Sequence, residues 1–145
     1  GLGMLRAMGE TAGAHSPPLG LFGRIRKDEA GRVDLKSGGL LPIVAGARVI
    51  ALRHGIEAID TPGRLTGAAR AAGRAETDAV LLSDIHGFLI RLILTQQIAD
   101  IEAGVKPSNK VEVNRLNHQD IAHLRDALGR IDLIRDMLRD LLQGV

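Results

Sequence analysis

Apolar residues recur at three- and four-residue steps along most of this chain, a spacing typical of amphipathic α-helices. The steps predict helices over 40–54, 61–72, 76–103 and from 117 to about 141. Residues that commonly begin or end helices stand at these limits, namely Gly55, Thr61, Gly104 and Asn117. The segment 76–103 is apolar on more than one face, which indicates the central helix of a bundle.

Polar and apolar residues alternate over 32–36, which is the two-residue period of a half-buried strand. A second short segment, 21–27, precedes it, and residues 28–31 between them have the composition of a hairpin turn. We therefore predict a mainly α fold, an antiparallel bundle of about four helices with a small N-terminal β-hairpin.

Glycine and proline divide the chain into two parts. Gly13 and the run Ser16, Pro17 and Pro18 interrupt a short amphipathic pattern, so residues 1–18 are predicted to form an N-terminal helix and a connector. Residues 19–145 are predicted to form one helical domain, which is large enough to bury a core. Because the sequence opens within this first helical pattern, we expect the chain to be excised from a larger multidomain protein.

Charge and aromatic content narrow the classes of partner. The 19 basic and 17 acidic side chains leave a net charge of +2, which attracts polyanions only weakly. Phe22 and Phe88 are the only aromatic residues of the Phe, Trp and Tyr type, and single-stranded nucleic acid is usually bound by stacking on several such rings. We therefore predict no nucleic-acid partner.

Three further absences restrict the chemistry. The chain has no cysteine, which excludes disulfides and thiolate metal sites and is compatible with a cytoplasmic protein. Its most apolar segment, 80–94, contains Asp84, His86 and Arg91 and falls short of a membrane span, so no membrane partner is expected. The histidines lack the spacing of metal ligands, and no metal site is predicted.

The clearest candidate for binding chemistry is the turn that joins the predicted strand to the first long helix. Lys36 and Ser37 are followed by Gly38 and Gly39, directly before the helix begins. Free backbone N–H groups, the helix dipole and the lysine ammonium all favour an anion at such a position. The alternative is a tight strand-to-helix connection without a ligand, because neither the GxxxxGK[ST] phosphate loop nor the GxGxxG fingerprint is present.

Two arginines interrupt apolar helical segments. Arg48 lies in the first long helix, and Arg91 lies in the most apolar part of the central helix. An unpaired buried guanidinium is very costly, so each side chain must reach a ligand, a carboxylate or solvent. The alternative to ligand binding is that they pair with residues such as Asp34 or Asp84, or extend their charged ends into water.

Several separated motifs resemble one known family. Asp34, Leu35, Lys36, Ser37, Gly38 and Gly39 are followed in order by Pro42, Ile43 and Val44, then Ala47 and Arg48, then His54, Gly55 and Ile56. This order is similar to the putative nucleotidyltransferase substrate-binding domain of bacterial signalling proteins. The likeness runs from about residue 18 to about residue 142. A looser similarity extends to the enzymes that adenylylate glutamine synthetase and uridylylate the nitrogen-regulatory protein.

The resemblance implies a function for the intact protein. It would transfer a nucleotidyl group from a nucleoside triphosphate, with magnesium, to a protein or small-molecule acceptor, and its catalytic domain would lie upstream of this chain. The chain itself would position the acceptor or close over the nucleotide phosphates. On this basis, the substrate- and phosphate-binding candidates are Asp34, Lys36, Ser37, Gly38, Gly39, Arg48 and Arg91.

We predict that this chain alone is inactive in nucleotidyl transfer and contains no catalytic residue. Nucleotidyltransferases hold two metal ions with paired carboxylates, usually DxD, and the sequence has no DxD. No cofactor is therefore expected in the chain itself. The alternative function is a noncatalytic helical signalling or dimerisation module, with a homodimer formed through the apolar face of the last helix.

Overall fold

The computed structural model describes residues 18–71 and 76–143. The predicted N-terminal helix and connector of residues 1–18 therefore lie almost wholly outside the described residues. The described part contains α1 (Leu41–His54), α2 (Thr61–Ala71), α3 (Glu76–Glu102), α4 (His118–Gly129) and α5 (Asp132–Gln143). Two three-residue strands, β1 (Arg32–Asp34) and β2 (Lys110–Glu112), form an antiparallel sheet. The predicted mainly α fold is confirmed.

The predicted helix ends are confirmed where the sequence carries a specific end signal. Gly55 follows α1 with φ of 65°, and Gly104 follows α3 with φ of 72°, both in the left-handed region that favours glycine. Asn117 caps α4, because its side-chain oxygen accepts a hydrogen bond from the backbone N–H of Asp120 at 2.7 Å.

The last predicted helix is two helices. α4 ends at Gly129, a residue of low helix propensity, and α5 begins at Asp132. Leu124 and Leu128 before the break and Ile131 and Ile134 after it are all fully buried. The described apolar residues of this face are therefore part of the core, and dimerisation through the last helix stays a prediction.

The strand at 32–34 is confirmed, but its partner is distant in sequence. Val33 lies opposite Val111 of β2, in a segment for which we predicted no strand. The turn at 28–31 does form, and Gly31 occupies it with φ of 76°. The N-terminal hairpin instead closes around a 3₁₀ turn, Leu21–Gly23, through the antiparallel bridge between Leu19 and Ile25.

The helices pack around a core of aliphatic side chains. α1 contacts both α2 and α5, and α3 contacts α2 and α5. Large side chains from several elements are completely buried together, including Leu35, Ile43, Leu65, Leu82 and Leu89. None of the helices in the described ranges is long and apolar enough to cross a membrane.

Candidate functional site

The turn after β1 is a short π-helix, Lys36–Leu40, that leads directly into α1. One carboxylate oxygen of Asp34, Oδ1, accepts hydrogen bonds from the backbone N–H groups of Lys36 at 3.0 Å and Ser37 at 3.1 Å. The negative charge that we expected a ligand to bring to these two donors is thus supplied by the chain itself. An external anion at this turn stays a prediction, and it would have to compete with the Asp34 carboxylate.

Gly38 and Gly39 are buried, and each allows another residue to approach closely. A Cβ atom on Gly38 would lie 2.7 Å from Cδ of Pro18, and one on Gly39 would lie 2.7 Å from Cδ1 of Leu89. Both distances are shorter than van der Waals contact. The space beside the two glycines is therefore occupied by this chain, which is the packing role that the alternative interpretation of the turn requires.

Lys36 is exposed and lies at the edge of a groove of about 380 Å³ between the start of α1 and the middle of α3. The walls of this groove are aliphatic, and its polar edge consists of Lys36, Gln97 and Asn109. The aliphatic lining comes from Leu40, Leu41, Val44, Ile90, Ile93 and Leu94. We call this feature the Lys36 groove.

The structure separates the two candidate arginines. Arg48 is exposed on α1, one helical turn beyond Val44, and its side chain has no polar partner in residues 18–71 or 76–143. Arg91 instead pairs with Asp120 of α4 at 3.5 Å and lies 5.3 Å from the ring centre of Phe88. Arg48 therefore follows the Lys36 groove along α1, whereas Arg91 belongs to the contact between α3 and α4.

A buried polar network at the end of α3 was not predicted. Asp100 accepts two hydrogen bonds from the guanidinium of Arg32, both at 2.9 Å, and one from Nε2 of Gln96 at 2.9 Å. Gln96 also accepts a hydrogen bond from the backbone N–H of Glu112 at 3.0 Å. The hydrogen bonds from Arg32 and then Gln96 lower the pKa of Asp100 from its ordinary value of 3.8 to about 2. This network joins the sheet to α3.

Gln97, the next residue, positions the loop that borders the groove. Its Nε2 donates a hydrogen bond to the backbone oxygen of Ser108 at 3.0 Å, next to Asn109. Sequence reasoning included neither Gln97 nor Asn109 among the site residues, because only folding brings the loop beside α3. Within the described ranges, no three His, Cys, Asp or Glu side chains are grouped in a way that could hold a metal ion.

Comparisons with known proteins identify the family. A family model described as "Putative nucleotidyltransferase substrate binding domain" matches residues 3–141, which is nearly the whole chain. A comparison with curated proteins and one with solved structures each found no match. The motif at 34–39 and the groove that its lysine borders lie within the matched range. The chain therefore belongs to the putative nucleotidyltransferase substrate-binding domain family.

Proposed function

We propose that this chain binds the acceptor of a nucleotidyl transfer in the Lys36 groove. The intact protein would carry out the transfer through an upstream nucleotidyltransferase domain, which would supply the catalytic carboxylates and the magnesium site. The acceptor would be a small molecule or a segment of a protein. The observation that supports this proposal most directly is an exposed lysine beside an aliphatic groove, within the range that the family model matches.

The volume and the lining of the groove indicate what kind of acceptor it could bind. A volume of about 380 Å³ is within the range of small-ligand sites. Its aliphatic walls favour an apolar group, and the ammonium of Lys36 favours an anionic group at the edge. Arg48 supplies a second cation one turn along α1 from Val44. An acceptor with an apolar body and an anionic end fits this arrangement.

The motif around the lysine has a clear role in this proposal. Asp34 fixes the first turn of the π-helix through two hydrogen bonds, while Gly38 and Gly39 hold that turn against the core. The backbone of Lys36 is thereby held in position, and its exposed side chain has no carboxylate partner within the described residues. Its ammonium is therefore available to an anionic ligand.

We expect Lys36→Ala to weaken binding of octyl phosphate, a probe with an apolar body and an anionic end, by about 1–2 kcal/mol, the scale of one charge-assisted hydrogen bond. NMR titration measures this affinity through the amide shifts of residues 36–44 and 90–97. The matched control is Lys106→Ala, because Lys106 is exposed but lies outside the groove. Equal affinities for the wild type and Lys36→Ala would contradict the proposal, as would shifts confined to other parts of the chain.

A second candidate function, the dimerisation module, is favoured by a stripe that adjoins the Lys36 groove and shares Leu94 with it. Leu94, Ile98 and Ile101 form an exposed stripe on α3, with exposed fractions of 52%, 59% and 64%. Their spacing of four and three residues matches the seam along which helices pack in coiled coils. Val105, the third residue after the helix, is also exposed. Such a row of large aliphatic side chains is typical of an interface.

The charges beside this stripe favour a second copy of the chain in an antiparallel arrangement. Arg91 lies three residues before Leu94, and Glu102 follows Ile101. They are eleven residues apart, about three helical turns, so they lie on the same side of α3. When Leu94 of one copy faces Ile98 of the other, Arg91 of each copy comes opposite Glu102 of the other. A parallel pair would instead place like charges together.

We expect Ile98→Asp to abolish a reversible dimer of the wild-type chain, because it places a carboxylate in the middle of the stripe. A stripe of a few aliphatic side chains offers a small interface, so the dissociation constant should be on the order of micromolar. Analytical ultracentrifugation over a wide range of concentrations measures it. Ile59→Asp is the matched control, since Ile59 is even more exposed but lies in the loop before α2.

Charge reversal tests the antiparallel arrangement itself. Arg91→Glu and Glu102→Arg should each weaken the dimer about tenfold. The double variant should recover most of the affinity, because both ion pairs between the copies re-form with opposite polarity, although the pair of Arg91 with Asp120 within each copy is lost. A wild-type chain that stays monomeric at every concentration would rule out this second function. A double variant that is weaker than either single variant would rule out the antiparallel arrangement.

A further inference from the structure

A cavity of about 540 Å³ lies beside the N-terminal hairpin, away from the Lys36 groove. Backbone hydrogen bonds fix the hairpin, from Gly20 N–H to the oxygen of Arg24 at 2.7 Å and from Arg26 N–H to the oxygen of Pro18 at 2.8 Å. Ile25 is buried in the core between them. Because side chains alternate along extended backbone, Arg24 and Arg26 project to the same side.

A third arginine reaches this cavity from a distant part of the chain. Arg125 of α4 lines the same cavity as Arg24 and Arg26. An adjacent cavity of about 380 Å³ shares Arg24 and Arg125 and adds Lys27. Four cationic side chains, from two segments about 100 residues apart in sequence, thus surround one connected concave surface. We call this surface the arginine cavity.

The positive charge of the arginine cavity is not compensated by any carboxylate in the part of the chain that the structure describes. Neither of its two parts has a carboxylate among its described lining residues, and the side chains of Arg24, Arg26 and Arg125 have no ion pair within the described ranges. The neighbouring Asp126 is already engaged by Arg130, at 3.1 Å. The net charge of the protein is only +2, so this concentration of positive charge is local. Repulsion between the like charges raises the electrostatic energy of the protein without a ligand. An anion with several charges would remove that repulsion.

Phe22 adds an exposed aromatic ring at the edge of the cavity. It lines the cavity, its side chain is fully exposed, and its backbone has φ of 59°. A residue with a Cβ atom is strained in this left-handed region, and such strain persists where the surrounding structure imposes it. The ring therefore gains no burial from folding in exchange for that strain. Its flat face is available to stack on another planar group.

We propose that the arginine cavity binds the phosphate chain of a nucleoside polyphosphate, with the base stacked on Phe22. Guanidinium groups match the geometry of phosphate oxygens, and three converging arginines fit a chain of phosphates better than a single one. The choice of a nucleotide as the ligand rests on the proposed nucleotidyl transfer. The expectation that the cationic cavity binds a polyanion does not depend on that proposal. The nucleotide phosphates and the acceptor would then occupy separate surfaces of this domain.

Isothermal titration of the chain with tripolyphosphate and with ATP tests the proposal. Arg24→Ala and Arg125→Ala should each weaken both ligands at least about tenfold, because each removes a charge-assisted contact to phosphate. Arg125→Lys should lie between Arg125→Ala and the wild type, since it keeps the charge and loses the planar fork. Arg53→Ala is the matched control, because Arg53 is exposed at the end of α1 and lines neither part of the cavity.

Phe22→Ala distinguishes a nucleotide, represented by ATP, from a phosphate chain without a base, represented by tripolyphosphate. It should weaken ATP about tenfold, the scale of stacking one base on an aromatic ring, and leave tripolyphosphate unchanged. Equal effects on both ligands, or no effect on ATP, would overturn the stacking part of the proposal. Failure of tripolyphosphate to bind the wild type, or equal losses in Arg125→Ala and Arg53→Ala, would overturn the whole of it. If Lys36→Ala abolishes phosphate binding and Arg125→Ala does not, the phosphates lie at the Lys36 groove, and only the cavity proposal is wrong.

Discussion

Gly39→Val is expected to lower the free energy of unfolding by about 3 kcal/mol, at the upper end of the range for overpacked cores. Gly39 is buried, and a Cβ atom there would lie 2.7 Å from Cδ1 of Leu89. The same Cβ atom would also contact Cδ1 of Ile131 at 3.6 Å and Cδ2 of Leu128 at 3.8 Å, so the larger valine side chain would meet three core side chains. A branched side chain would therefore force the π-helix away from α3. Denaturant unfolding followed by circular dichroism measures the loss.

Gly87→Ala is the matched control for this prediction. Gly87 is exposed within α3, and a Cβ atom there would meet no atom within 4 Å. The substitution should stabilise the protein by about 0.5–1 kcal/mol, because alanine loses less backbone entropy than glycine in a helix. If Gly39→Val were as stable as the wild type but no longer bound an anion, the ligand interpretation of the two glycines would be right and the packing interpretation would be wrong.

Asp100→Asn is expected to have the second large effect. The substitution keeps the shape of the side chain but removes its charge, and it leaves the guanidinium of Arg32 largely buried without its anionic partner. Breaking one side of a buried ion pair is much more destabilising than breaking an exposed pair. The network also holds β2 through Gln96, so we expect the sheet and the end of α3 to loosen together. Hydrogen exchange of the amides at 32–34 and 110–112 would report this loosening.

The effect of Asp100→Asn should depend on pH in a defined direction. The pKa of Asp100 is about 2 in the folded protein, below its ordinary value of 3.8, so the folded state favours the ionised carboxylate. The stabilisation is fully present above the unfolded pKa and is lost as the pH falls through the folded one. The difference in stability between the wild type and Asp100→Asn should therefore be constant near neutral pH and shrink between about pH 4 and pH 2.

Asp126→Asn provides the comparison for Asp100→Asn. Asp126 pairs with Arg130 one turn away on the surface, with both side chains at least half exposed. Exposed pairs of this kind contribute little to stability. We expect the denaturation midpoint to change several times more in Asp100→Asn than in Asp126→Asn. Similar midpoints for the two variants would show that the Arg32–Asp100 pair does not join the sheet to α3 in the way proposed.

Most of the helical structure could be predicted because its causes lie within a few residues in sequence. The apolar spacing of α3 is local, and the left-handed conformation at Gly55 and Gly104 depends on the residue type itself. The cap at Asn117 likewise needs only a side-chain oxygen that accepts a hydrogen bond from the backbone N–H three residues later. The strand at 32–34 followed from alternation, and the family followed from motifs that are contiguous in sequence.

The candidate site could be predicted only in part. The sequence identified Lys36 and the two glycines, but not their separate roles. Those roles depend on the neighbouring elements: Leu89 of α3 packs against Gly39, and the Lys36 groove lies beside the lysine. Periodicity also gave no reason to break the last helix at Gly129, because Leu128 and Ile131 fit a continuous helical face as well as a broken one. The break is decided by which core positions those side chains fill.

The sequence by itself determined the helices, their end signals, the first strand and the family motif, since each depends on short-range backbone and side-chain preferences. Only the tertiary structure decided the pairing of Val33 with Val111, the burial of Asp100 against Arg32 and the meeting of Arg24 with Arg125. These residues are separated by about 70 to 100 positions. Their contacts arise from how the helices pack around a shared core, and no local pattern records which distant side chain that packing brings near.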